Sequence, residues 1–389
     1  MKFIVNNQVI LAGIIINMVS MGIARFAYTP LLPAMQMDGL SFEAAGLIAS
    51  VNYLGYLLGA GLTILVRKAA IQRWLLRFGL FFCLVTTLGM GVTDSVAVWT
   101  VLRFFAGVGS ALGMVLGSAL VLRFLHQVNE PHKIPLQFGG VGLGMALSGV
   151  ISLLFADQGD WRLAWLILGG FSLITVPFAL WRLEKNSVNP VVNSSEMAAE
   201  HDKISLFVWF LIAAYFLEGL GYVVTGTFLP TIVRDIRGLE GLGDTIWILV
   251  GLAAAPSCLF WAKMAKKYGD TEAIMMALLA QSLGVVLPAI TQSAALNLLG
   301  AVLYGGTFLG IVSMTLSLGG RMSQGNPARI MGILTLVFAL GQVLGPLYAV
   351  ALTEWQGHYD GTLFVTGLIV LLACGTLWWG RHLAPIRTT

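Results

Sequence analysis

The stretch "GIARFAYTPLLPA" (residues 22–34) decides how this chain is read, because it returns 197 residues later as "GLGYVVTGTFLPT" (219–231). Aligned without gaps, Gly22 falls on Gly219, Leu32 on Leu229 and Pro33 on Pro230. Three identities weigh little by themselves. Their weight comes from position, since each copy sits at the same place in the first long apolar segment of its half of the chain. The first copy also places Arg25 inside a segment that otherwise reads as a membrane span, where a guanidinium costs roughly 3 kcal/mol on insertion scales.

Working outward, 58% of the residues are hydrophobic and 10% are charged, with a mean hydropathy of +0.87. That excludes an ordinary soluble domain. A helix needs ~20 apolar residues to cross the hydrocarbon, and by that rule the sequence predicts twelve spans: 8–35, 41–66, 74–92, 96–124, 134–156, 161–182, 206–232, 244–262, 271–291, 295–320, 327–352 and 361–380. The apolar run after Lys2 shows no small-residue cleavage pattern and continues into "RFAYTP", so it is expected to be a retained span rather than a secretion signal.

The basic residues test this count. With a cytoplasmic N-terminus, 17 of the 22 Lys and Arg fall on the inside, 3 on the outside, and Arg25 and Arg103 fall within spans. Such asymmetry is the positive-inside pattern, and it predicts that both termini are cytoplasmic. The pI near 9.0 then follows from loops facing anionic headgroups, and no nucleic acid partner is implied. Cys83, Cys258 and Cys374 lie in spans without pairing, and the five histidines show no ligand spacing, so neither metal nor cofactor is expected. No GxxxxGK[ST], HExxH or serine-nucleophile motif occurs, which argues against an ATP motor and against an enzyme.

The longest polar connection, "EKNSVNPVVNSSEMAAEHDKIS" (184–205), divides the chain almost evenly. Together with the repeat it predicts an all-α membrane protein: a six-helix bundle over 1–182, a cytoplasmic linker over 183–205 and a pseudo-symmetric second bundle over 206–389. Two parallel halves of this kind are the plan of a secondary transporter working by alternating access.

"RFFAGVGSA" (103–111) resembles the RxxxGxG motif in the fourth helix of the major facilitator superfamily. "WAKMAKKYGD" (261–270) is similar to its loop motif GxxxDRxGRR, with Trp261 in place of the glycine and Ala265 in place of the aspartate. The first-half loop "GAGLTILVRKAA" (59–70) keeps no aspartate at all. "GIARFAYTPLLP" itself is similar to the start of the YbfB/YjiJ-like branch. Gly332, Gly341, Gly345 and Pro346 resemble an antiporter motif that belongs to span five rather than span eleven; glycines so spaced also serve close helix packing. The resemblance covers essentially the whole chain and implies that spans one, four, seven and ten surround a central cavity.

All three intramembrane charges fall on those spans: Arg25 on one, Arg103 on four and Glu218 on seven. At 1.5 Å per residue both arginines lie about 10–12 Å below the outer surface, with Glu218 deeper, near the midplane. On span seven Tyr215, Glu218, Tyr222 and Thr225 share an arc of about 80°, and on span one Asn17, Arg25, Tyr28 and Thr29 share about 120°. Candidate substrate-binding residues are therefore Arg25, Tyr28, Asn52, Tyr56, Arg103, Tyr222, Tyr304 and Gln342, with Glu218 as the proton carrier. Gln281 is a weaker candidate because span nine should be peripheral. Structural alternatives stand beside these: Arg25 snorkelling or binding carbonyls freed by Pro30 and Pro33, Arg103 bracing span one, Glu218 pairing with an arginine.

Two arginines against one carboxylate leave one positive charge over, and an anionic ligand would supply the partner. Guanidinium matches a carboxylate bidentately. Solute binding at an arginine would then be linked to a proton on the glutamate. The expected function is secondary transport of a small anionic or zwitterionic organic solute, driven by protons, by a monomer in a bacterial inner membrane. The rival is a drug/proton antiporter, which the aromatic lining suits and two cavity arginines do not.

Overall fold

Backbone amides that cannot reach water must bond within their own segment, so long apolar stretches fold as helices. A computed structural model of the chain describes residues 2–66, 68–130, 133–156, 159–186, 204–322 and 327–383. Most of the connection 184–205, with Arg67, Lys203 and Arg387, lies outside the described residues. Twelve helices among the described residues are long and apolar enough to span a membrane: Asn7–Met37, Phe42–Leu65, Ala69–Met90, Val96–Gln127, Ile134–Phe155, Trp161–Leu183, Leu206–Arg234, Glu240–Tyr268, Asp270–Ile290, Ala294–Met322, Arg329–Gln356 and Asp360–Leu383. Each coincides with a predicted span. Serines start three of them, with Ser41, Ser95 and Ser205 accepting from the amides of Ala44, Val98 and Val208, which satisfies one orphan donor at each helix start.

The packing repeats. Span one lies against five and six, two against four, and three against four and six; the same partners recur as seven with eleven and twelve, eight with ten, and nine with ten and twelve. Between the halves, span five meets eight and span two meets eleven, a pair of contacts that a two-fold axis exchanges. Small residues allow this closeness. A Cβ on Gly22 would fall 2.6 Å from the Cα of Gly144, so spans one and five touch backbone to backbone. Gly341 likewise meets the Phe216 carbonyl, and Gly345 packs on Val223. Two glycines of the antiporter-like motif thus serve the packing of spans seven and eleven.

At the end away from the basic connections, the halves are shut. Thr29 Oγ1 donates to the Gly226 carbonyl at 2.6 Å, Tyr53 and Thr227 share a hydroxyl bond of 3.0 Å, and Thr231 Oγ1 donates to Gln36 Oε1 at 3.3 Å. Phe42 closes over Phe228 and Tyr359, with ring centroids 5.0 and 5.6 Å away. Toward the basic end, spans four, five, eight, ten and eleven part around a vestibule of about 790 Å³, whose lining runs from Lys266 and Arg321 inward to Met114, Cys258 and Leu309.

Candidate functional site

The site is built on a break in span one. Its α-helix ends at Asn17, a π-helix covers Met18–Ile23, and α-helix resumes at Tyr28–Met37. In the wide turn Ala24 N bonds Val19 O at 2.9 Å and Phe26 N bonds Met21 O at 3.1 Å. Thr29 N is taken by Phe26 O and Pro30 has no N–H, so the Arg25 carbonyl loses its helical donor. Arg103 replaces it: Nη2 donates to Arg25 O at 2.7 Å and Nη1 to Ala24 O at 2.5 Å, while the guanidinium lies 5.1 Å from the Tyr28 ring centroid. Asn52 Nδ2 holds the Arg103 carbonyl at 2.7 Å. π-Helical turns inside α-helices commonly mark functional sites.

The Arg25 side chain points the other way. It is 2% exposed, lies over the rings of Tyr56, Tyr53 and Phe26 at 4.2, 4.7 and 5.4 Å, and is within hydrogen-bonding reach of the Tyr56 hydroxyl. Among the described residues no carboxylate pairs with it, and its Nε and Nη2 have no hydrogen-bond partner. Facing it from the second half is a column of rings. Tyr215, Phe338, Tyr222, Phe308 and Tyr304 follow one another within 4.3–5.8 Å, each pair within 16° of parallel. Phe26 meets the column edge-on at Phe308, 6.2 Å away. Gln342 Nε2 donates to the Tyr222 hydroxyl at 2.5 Å, and the Tyr304 hydroxyl donates to the Tyr222 carbonyl at 3.0 Å. Tyr56 bonds Met114 Sδ at 3.7 Å, and Met114 lines the vestibule, so Arg25 sits just past its inner end.

Glu218 pairs with neither arginine, so the structural alternative of an ion pair is not what the structure holds. Its Oε1 accepts from Gln281 Nε2 at 2.9 Å and its Oε2 is unpartnered. It lines a cavity of about 10 Å³ with Tyr215, Ile274, Leu278, Thr315 and Leu377, inside the second bundle. Span seven is crowded on every side, and an arc of about 80° fixes which residues share a face without saying which neighbour that face meets.

The structure brings Arg25, Tyr56, Tyr222, Tyr304 and Gln342 together. Arg103 and Asn52 are spent on backbone carbonyls behind them, as is Tyr28, whose hydroxyl donates to Ala45 O at 3.2 Å. The carbonyls freed near Pro30 are thus held by Arg103, not by Arg25. Tyr53, Phe308 and Phe338 are not among the site residues expected from the sequence, and Gln281 is there only as a weaker candidate. Helical spacing points to the first three: Tyr53 is one turn from Tyr56, Phe308 from Tyr304 and Phe338 from Gln342.

The family model described as "Uncharacterised MFS-type transporter YbfB" matches residues 17–377. The chain belongs to this branch of the major facilitator superfamily. This facilitator is a transporter, not an enzyme. Its twelve-helix fold superposes on the solved nucleoside transporter NupG with a TM-score of 0.74 at 13% identity, over 96% of this chain and 99% of that one. Among curated relatives, the uncharacterized MFS-type transporter YceJ of Bacillus subtilis is 23% identical over 66% of this chain and 67% of its own length. Protein SGE1 and Azole resistance protein 1, both of Saccharomyces cerevisiae, are 25% and 23% identical over 44% and 42% of this chain. The match spans about a third of the first and 27% of the second.

Proposed function

We propose that this facilitator carries a small organic solute with a negative charge, and that Arg25 is its anchor. The observation that supports this reading most is the guanidinium itself: buried, stacked on tyrosines, and left with two nitrogens, Nε and Nη2, unmatched. An unsatisfied buried donor costs about 1–3 kcal/mol, more when charged, and a bound anion removes that cost. The halves 1–182 and 206–389 rock about the site, joined by 183–205. With the basic connections in the cytoplasm, as the positive-inside pattern requires, both termini are cytoplasmic and the vestibule opens inward in a bacterial inner membrane. One chain holds the whole pathway, so a monomer suffices. Glu218 carries the coupling proton, making the facilitator a symporter; its support is a buried carboxyl that no cation among the described residues pairs with.

The test is the affinity of an anionic substrate for wild type, Arg25→Lys and Arg25→Gln, with folding checked by size-exclusion profile. Lysine keeps the charge and loses the planar fork, so binding should weaken about 10- to 150-fold, the worth of one charge-assisted bond. Glutamine should be worse. Equal affinities in folded protein would leave Arg25 a structural residue. One observation favours a second reading, a drug/proton antiporter: the five-ring column suits apolar planar cations, and one curated relative is named for azole resistance. On that reading Arg25→Gln tolerates or improves binding of cationic compounds.

A further inference from the structure

The two unpartnered atoms of Arg25 are not an arbitrary pair. Nε and Nη2 lie on one edge of the guanidinium plane, spaced to meet both oxygens of a single carboxylate. The guanidinium also lies over the rings of Tyr53 and Tyr56, and the Nε and Nη2 edge is what it has left to offer a ligand.

Charge in the site is equally restricted. Arg103 gives its Nη1 and Nη2 to the carbonyls of Ala24 and Arg25, and Glu218 lies behind Tyr215 and Tyr222, bonded to Gln281. Among the described residues Arg25 therefore offers one unpartnered edge, which matches one carboxylate, and no carboxylate pairs with it to receive an ammonium. A second charge on the ligand, of either sign, would enter without a partner, which favours a monoanion over a dianion or a zwitterion. The remaining surface is aromatic: Phe26 bridges the guanidinium to the column of Phe308, Tyr222, Phe338 and their neighbours. A carboxylate conjugated to an aromatic ring is coplanar with it. Held edge-on by Arg25, it extends the guanidinium plane as a flat slab, the shape that ring faces and edges accept best.

From the unpartnered edge of Arg25 and the adjoining ring column, we propose that the site selects aromatic monocarboxylates. The proposal rests on the anion-anchor reading of Arg25 and narrows it.

The experiment measures equilibrium binding to the purified full-length protein of benzoate, cyclohexanecarboxylate, benzamide, terephthalate and phenylalanine, in wild type, Arg25→Gln, Phe308→Leu and Phe338→Leu. Benzoate should bind roughly 3- to 10-fold tighter than its saturated analogue, the worth of one aromatic contact. Benzamide, terephthalate and phenylalanine should each bind more weakly than benzoate. Each leucine variant should bring the two ring acids toward parity, and Arg25→Gln should abolish both. Two leucine variants are used so that failure of one to fold leaves the other as a test. Parity in wild type with Arg25 still required overturns the aromatic class and leaves the anion anchor standing. Tighter binding of terephthalate overturns the monoanion. Binding indifferent to Arg25→Gln overturns the anchor itself, and no saturable binding of either ring acid overturns the proposal.

Discussion

Replacing Arg103 should loosen the break in span one. In the structure its guanidinium makes two charge-assisted bonds, at 2.5 and 2.7 Å, to carbonyls that the π-turn leaves without helical donors. Each such bond is worth about 1.5–3 kcal/mol, so Arg103→Ala forfeits about 3–6 kcal/mol. Releasing a guanidinium that is 2% exposed returns part of that, and a net loss of about 2–4 kcal/mol is expected. Arg103→Lys reaches only one carbonyl and should lose about half as much. The assay is reversible unfolding in mixed micelles, read alongside substrate affinity. Because the same carbonyls belong to Ala24 and Arg25, both variants should also blur the aim of the Arg25 donors and weaken binding without touching the solute. Wild-type stability in both variants would refute the argument, since two bonds of this kind cannot be lost without a trace from a buried turn.

Glu218→Gln should abolish accumulation driven by a pH gradient while leaving substrate binding and exchange partly intact; a normal gradient-driven uptake in that variant would mean that protons enter elsewhere. In a background with the native cysteines replaced, since Cys258 lines the vestibule, single cysteines introduced near Gln72 and Lys203 should react only from the cytoplasmic side and one near Gln356 only from outside. Labelling of the Lys203 position from outside would invert or break the topology.

Much of this architecture could be read before any coordinate. The twelve helices follow from apolar length, the repeat from Gly22, Leu32 and Pro33 and their copies, and the central place of Arg25 from its cost in hydrocarbon. What the sequence withheld is local geometry. Nothing in "NMVSMGIARF" announces a π-turn, because its β-branched and small residues suit an ordinary helix equally well. The prolines drew attention to positions 30 and 33, yet the helix widens before them and Pro33 sits inside regular helix. Arg103 and Arg25 look alike as buried guanidiniums; only the direction of their donors separates a clamp on the backbone from an open edge. Gln281 stands on span nine, which is peripheral, yet a peripheral helix still turns one face inward, and there Gln281 meets Glu218.

The bond from Thr29 to Gly226 joins residues 197 apart, the offset of the repeat itself, so each is the counterpart of the other. Only residues on the two-fold axis can touch their own counterparts. Had the halves been separate identical chains, the same side chain would have stood on both sides of that axis, and two threonine methyls would have been pressed together where a single hydroxyl now meets a bare carbonyl. Joining the halves in one chain lifts that restriction. One side can keep a donor while the other sheds its side chain, and the seam becomes a lock and key cut from what began as the same metal.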